Sequence, residues 1–277
     1  MKRLLTIEWL KIFHYRTAWI FIVLYFVLLV LMGFVIPQFK PEMNGNKIDF
    51  QKFGAYNFPV IWQNITYFAA IGKVFLAVII ITNITNEYSN RTLKQNLIDG
   101  LSKKEFLISK LLTVGILTIL STVVVFGITL FLGSQNSTVT PDSMFSGIEY
   151  MGVYALKLAF VLSFVMLLSF LFQKSSFAIL MFVVWPIIES ILGGIEHYFR
   201  QNMLMQNIRE VTLWTDFLPL KTSAALIELP TVNIELILQN QPIFEMKPLN
   251  ETAIVLTFVY LAITIYLSYF LLKKRDL

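Results

Sequence analysis

The chain has no cysteine and only two histidines, His14 and His197. Without cysteine there is no disulfide, no thiolate nucleophile and no sulfur ligand for a metal. No H-E-x-x-H pair, no G-x-S-x-G turn and no G-x-x-x-x-G-K-[ST] phosphate loop occurs anywhere in the 277 residues, so metal hydrolysis, serine acyl transfer and nucleotide binding through a P-loop lose their usual instruments. Charge is scarce too. Only 14% of residues are charged while 57% are hydrophobic, against about 25% charged in a typical soluble domain. With a mean hydropathy of +0.71, the chain reads as one polytopic membrane domain over 1–277. Its net charge of +5 concerns membrane orientation rather than nucleic acid, which is not an expected partner.

What is present is a series of apolar runs. Spanning helices are expected at about 19–36, 62–85, 106–132, 150–172, 176–195 and 252–272, each near the length that a hydrocarbon core of roughly 30 Å demands. Residues 2–16 form an amphipathic pattern: Leu5, Trp9, Ile12 and Phe13 share one side, Glu8, Lys11, His14 and Tyr15 the other. This suits a helix lying on the membrane surface, with the start of the first span as the other reading. The charges within 1–16 and the long apolar run behind them do not fit a cleavable signal peptide. Residues 196–251 are too long for a plain loop. Within them, 196–211 and 218–229 are helix candidates, either dipping partway into the membrane under protein cover or forming a small external cap. The expected fold is therefore all-α: six spans, a surface helix, and short outer helices before the last span.

Basic residues orient the layout. Lys2, Arg3, Lys11, Arg16, Arg91, Lys94, Lys103, Lys104, Lys110, Lys174, Lys273, Lys274 and Arg275 fall on one side; Lys40, Lys47, Lys52, Arg200, Arg209, Lys221 and Lys247 fall on the other, over longer loops. The positive-inside tendency places both termini and the 86–110 segment in the cytoplasm of a plasma-membrane protein. His14 and His197 then lie on opposite surfaces and cannot share a site.

Three ionisable residues fall well inside spans: Lys73, Lys157 and Glu189. Such residues are costly and mark function unless they snorkel to an interface. Helical rise places Lys73 and Glu189 at similar depth, which suggests an ion pair, with Lys157 as the rival partner. Pro186 should interrupt the fifth span, and Gly193-Gly194 invites a second break, so the three are gate candidates.

The segment 86–110, NEYSNRTLKQNLIDGLSKKEFLISK, is organised differently from the rest. Arg91 to Ile98 carries helix formers, Asp99-Gly100 supplies a stop, and Ser102-Lys103-Lys104-Glu105 is a capping box, with Leu101 and Phe106 placed as a hydrophobic staple. These residues resemble the cytoplasmic loop of ABC-2 type permease membrane subunits. That loop has an N-E-Y-like end to the second span, a T-[LI]-[RK] stretch, a small residue, and S-[RK]-x-[ED] entering the third. The match lies at Glu87, Thr92, Lys94, Gly100, Ser102, Lys103 and Glu105, with Lys103 where arginine is usual.

The resemblance implies a non-catalytic permease working as a homodimer, or with a homologous permease, and bound to a cytosolic ATPase subunit that holds ATP and magnesium; the chain itself needs no cofactor. It implies a coupling helix at 91–98, with Glu87, Arg91, Thr92, Lys94, Gln95, Asp99, Gly100, Ser102, Lys103 and Glu105 serving the contact. A Glu87–Arg91 pair at i,i+4 is a natural local expectation. The alternative is a secondary transporter or channel that uses Lys73, Lys157 and Glu189 for ion coupling, although no inverted repeat is visible. A membrane enzyme or assembly factor ranks third. The spans do not select a substrate.

Overall fold

In an apolar solvent every backbone N–H and C=O must be paired within the segment, so long apolar runs become long helices. The computed structural model describes residues 8, 11, 15–31, 42–43, 46–47, 54–137, 144–204, 214–232 and 243–275. Its helices are α1 (Arg16–Val30), α2 (Val60–Ala69), α3 (Lys73–Ser89), α4 (Thr92–Ile98), α5 (Lys103–Asn136), α6 (Glu149–Phe172), α7 (Ser175–Leu204), α8 (Pro219–Ala224) and α9 (Glu251–Lys274). A single 3-10 turn, Ala70–Gly72, joins α2 to α3, and another short 3-10 helix occupies Trp214–Phe217. Two antiparallel pairs of two residues each, Glu42–Met43 with Asn46–Lys47 and Thr231–Val232 with Phe244–Glu245, are the strands among the described residues.

Among the described residues, five helical segments are long and apolar enough to cross a membrane: Val60–Ser89, Lys103–Asn136, Glu149–Phe172, Ser175–Phe199 and Glu251–Lys274. Each contains one of the expected spans. The expected first span, 19–36, is met by α1, a shorter apolar helix; its residues 32–36 lie outside the described residues, as does most of the surface helix 2–16. The helix candidate at 196–211 is in fact the end of α7 as far as Leu204, and 205–211 lies outside the described residues. The candidate at 218–229 is helical only over Pro219–Ala224.

The helix α6 is the centre of the bundle. It touches α3, α5, α7 and α9, and its buried residues lie on every side, from Tyr150 and Tyr154 through Phe160 and Val161 to Phe170. A helix apolar all round belongs in such a position. In contrast, α7 and α9 expose Ile187, Ile191, Val255, Phe258 and Tyr266 to the surroundings. Several hydroxyl side chains inside the spans are satisfied locally: Thr66, Thr82, Thr85, Thr129, Thr257 and Ser268 each donate to the carbonyl four residues back.

The helix ends are closed with care. Asn250 caps α9 by accepting from Ala253 N at 3.0 Å. At the far end of α9, the Arg275 guanidinium donates to Phe170 O and, at 2.9 Å, to Leu171 O, closing the last turn of α6. The Lys103 ammonium then donates to Arg275 O at 2.6 Å. The starts of α5 and the ends of α6 and α9 are thereby laced together at one end of the bundle.

Pro186 does not interrupt its helix. α7 runs unbroken through Pro186, Gly193 and Gly194, which corrects the expected breaks. Proline removes one hydrogen bond, whereas a break in an apolar environment would leave several backbone groups unpaired. Gly193 has a different use: a Cβ there would stand 3.0 Å from Lys221 Nζ, so its smallness lets the outer segment approach α7.

At Gly72 the 3-10 turn passes close against α1. A Cβ would meet Tyr25 Cε2 at 2.8 Å and Leu28 Cδ2 at 3.2 Å. The Tyr25 ring has little room to yield, because its hydroxyl bonds Ser121 Oγ and, at 3.1 Å, Tyr154 OH, all buried. Gly72→Ala is therefore expected to destabilise by about 1–3 kcal/mol through overpacking. Gly152→Ala, with nothing within 4 Å of its Cβ, should stabilise by about 0.5–1 kcal/mol. Thermal unfolding midpoints of the two purified variants check the contrast.

Candidate functional site

The segment between α3 and α5 is built from local rules. Arg91 takes a left-handed conformation at φ 57°, so α4 begins at Thr92, one residue later than expected for a helix over 91–98. The Thr92 hydroxyl reaches back to Glu87 O at 3.4 Å. At the other end, Gly100 has φ 94°, Gly100 N donates to Leu97 O at 3.2 Å and Leu101 N to Asn96 O at 3.0 Å. This double bond pattern is a Schellman stop, and it needs the left-handed freedom of glycine at 100. Ser102 and Glu105 then close a reciprocal capping box at the start of α5. Leu101 and Phe106 both pack against the core.

Between these two stops α4 has one inward and one outward side. Leu93 is buried and Leu97 half-buried, while Arg91, Lys94, Gln95, Ile98, Asp99 and Gly100 are exposed. Ile98 is 76% exposed, an unusual position for a large apolar residue on so small a helix. Ser102, Lys104 and Glu105 are exposed as well, and Lys103 is drawn partly in by its bonds to the end of α9.

Beneath α4 lies a buried ionic cluster. The Lys110 ammonium, 1% exposed, donates to Glu8 Oε1 at 2.9 Å, Glu8 Oε2 at 2.8 Å, Asn83 Oδ1 at 2.7 Å and Glu87 Oε1. Lys11 adds an ion pair to Glu87 Oε1 at 3.0 Å and another to Glu8 at 3.5 Å. Ser109 and Thr113 direct their hydroxyls at Glu8, at 3.3 and 3.4 Å. Two lysines and two glutamates balance. Burial tends to raise the Glu8 pKa, but the charge and hydrogen bond of Lys110, with Lys11 and Ser109, outweigh it and hold the carboxyl below its ordinary value. Burial likewise tends to lower Lys11, and Glu87 with Glu8 outweighs that and raises it.

This cluster corrects two local expectations. Glu87 is 2% exposed and faces Lys110 and Lys11, so it is these cations, and not Arg91, that pair with it. Glu8 and Lys11, expected on the polar outer side of the surface helix, point into the protein. Lys110 had counted only as an orienting charge. Its position seven residues into α5, opposite Asn83 and Glu87 at i,i+4 spacing on α3, was the sequence signal for a buried role.

At the opposite end, Lys73 and Glu189 line one cavity of about 340 Å³, yet no ion pair joins them among the described residues. Glu189 is buried and already occupied: it accepts from Trp185 Nε1 at 2.7 Å and from the backbone N–H groups of Leu220 and Lys221 at 3.2 and 2.7 Å. It thus caps the start of α8. Two turns further along α7, Glu196 accepts from Trp214 N at 3.1 Å and Thr215 N at 3.0 Å. Lys157 donates to Ala224 O at 3.3 Å, at the other end of α8. Lys221 pairs with Asp216 at 2.8 Å. Glu189 and Lys157 therefore position the outer segment, while Lys73 finds no hydrogen-bond or ion-pair partner among the described residues. Among the described residues no group of three or more His, Cys, Asp or Glu is placed to hold a metal.

A family model described as ABC-2 family transporter protein matches residues 4–189. The match takes in α4, the ionic cluster and α7 as far as Glu189, and leaves the outer segment and α9 beyond it. No curated protein matches the chain.

The cluster makes a clear prediction. Lys110→Met leaves Glu8 and Glu87 buried without Lys110's charge and should cost about 3–5 kcal/mol of stability; adding Glu8→Gln, which leaves Lys11 balanced by Glu87, should recover much of that loss. Unfolding midpoints in detergent test it. The pH dependence follows from the same shifts. Glu8, held low, contributes fully above the ordinary carboxylate value and loses its contribution as pH falls through its depressed value. Lys11, held high, contributes fully below the ordinary lysine value and loses it as pH rises through its elevated one. A stability plateau across neutral pH, sloping only at the acid and alkaline extremes and flattened in Glu8→Gln, is the expected profile.

Proposed function

The chain belongs to the ABC-2 family of transporter proteins, and on that footing we propose that it is the permease subunit of an ATP-driven exporter. It is an integral membrane protein, with five helices among the described residues long and apolar enough to cross, and a transport component rather than an enzyme. In this reading a separate cytosolic ATPase binds ATP and magnesium, two permease copies or a permease and a homologue form the pathway, and both termini lie in the cytoplasm of the plasma membrane.

The single observation that carries the proposal is the outward face of α4, Lys94, Gln95 and Ile98, mounted on a buried neutral ionic cluster. A short helix closed at both ends by tight turns moves as a unit. Closure of an ATPase dimer against it would pass through Glu87 to α3, and through Lys110 to α5, as a rigid-body displacement. The family resemblance assigns this contact to Glu87, Arg91, Thr92, Lys94, Gln95, Asp99, Gly100, Ser102, Lys103 and Glu105. Only the exposed members of that set, Lys94 and Gln95 foremost, face outward toward a partner; Glu87 acts through the cluster. Ile98, which the motif did not single out, supplies the apolar anchor that such a docking site favours.

The reading of a self-sufficient ion-coupled transporter through Lys73, Lys157 and Glu189 is less well supported, because the Glu189 oxygens are taken by the start of α8 and by Trp185.

Lys94→Glu combined with Ile98→Asp removes the proposed docking face while touching no buried residue. Co-purification of the chain with its ATPase from native membranes should fall at least about tenfold, and ATP-driven transport with it, with the unfolding midpoint unchanged. Undiminished transport by the chain alone on an ion gradient, with no ATPase present, would sink the proposal.

A further inference from the structure

The cavity between α3, α7 and α8 has a chemical imbalance that the permease reading does not absorb. Its wall includes Lys73, Val74, Val183, Pro186, Glu189 and Lys221. The Glu189 oxygens are taken by two backbone N–H groups and an indole, neutral donors that leave its negative charge in place, while Lys221 is neutralised by its ion pair with Asp216. Lys73 has no hydrogen bond or ion pair among the described residues, and its side chain is half-buried in the cavity wall. Lys157 lies close enough to add to the positive potential around it. Along α3, Lys73 stands roughly 21 Å from Glu87, deep in the outer half of the span.

An ammonium at that depth without a direct ion pair is expensive, and Lys73 with Lys157 leaves positive charge in excess of Glu189; cations in such places pair or line a path. The cavity is open on its apolar side: Val74 and Val183 are exposed large hydrophobics on neighbouring helices. A ligand reaching Lys73 therefore crosses an apolar surface, which favours an anion carried on a hydrocarbon tail.

We infer that Lys73 is the anchor of a binding site for the phosphate group of an anionic amphiphile, seated in the α3–α7–α8 cavity with its tail along Val74 and Val183. Phosphate offers several oxygens to one ammonium, and a charge-assisted hydrogen bond there is stronger than a neutral one. The site stands apart from α4 and needs no ATPase, so it holds or falls independently of the coupling proposal.

The test uses the full chain purified in detergent, exposed to phosphatidylglycerol or phosphatidylcholine, with retained lipid read by native mass spectrometry. Phosphatidylglycerol should be retained by the unaltered protein and by Lys73→Arg, and reduced about tenfold or more in Lys73→Met. Lys104→Met, at the exposed opposite end, should behave as the unaltered chain. A second measurement avoids dependence on folding of the variant: in the unaltered protein, phosphatidylglycerol but not phosphatidylcholine should protect Lys73 from an amine-reactive reagent. Displacement of the lipid by inorganic phosphate would support an anion site and assign it to the free ion; resistance to displacement supports the amphiphile. Equal phosphatidylglycerol retention by Lys73→Met, or Lys73 labelling unaffected by phosphatidylglycerol, overturns the inference.

Discussion

The burial of the Lys110 ammonium between Glu8 and Glu87 governs how this chain is arranged at its charged end. Removing an ammonium from water costs several kcal/mol, and the cost is met only when opposite charges and polar atoms surround it closely. Glu8 comes from the N-terminal segment, Glu87 and Asn83 from α3, and Lys110 from α5. No one of these elements can leave without stranding a charge. The relative placement of all three is therefore fixed electrostatically, in a region where apolar packing alone would tolerate sliding. Because α4 hangs between α3 and α5, its position is fixed by the same contact.

Much of α4 was legible before any coordinates. The Schellman stop at Asp99-Gly100 and the capping box at Ser102 to Glu105 depend on residues within four or five positions, and short-range chemistry of that kind is written in the string. Spans were legible for a related reason: apolar length maps directly onto hydrocarbon thickness. Glu8 and Lys110 were not, since they lie about a hundred positions apart and nothing local announces the pairing. The rule applied to residues 2–16, polar side outward, assumed water or headgroups as the neighbour, and here the neighbour is a lysine.

Pro186 and Glu189 were misjudged through a shared assumption. Both were read as if their helix had to satisfy them alone: the proline as a break, the glutamate as one half of an ion pair with Lys73. The bundle offers other solutions. α7 keeps its course past Pro186 because interruption would free more polar groups than the proline removes. Glu189 is paired with backbone N–H groups of α8, donors that a sequence cannot display because they appear only once the outer segment has folded against α7.

Glu189 and Glu196 lie two turns apart on one face of α7, and each grips a separate short helix of the outer segment. One point of attachment would act as a swivel, whereas two separated points fix a direction. Trp214–Phe217 and α8 are thus splinted to α7 and inherit its tilt. A displacement of α7 therefore carries Trp214–Phe217 and α8 with it, in direction as well as in distance.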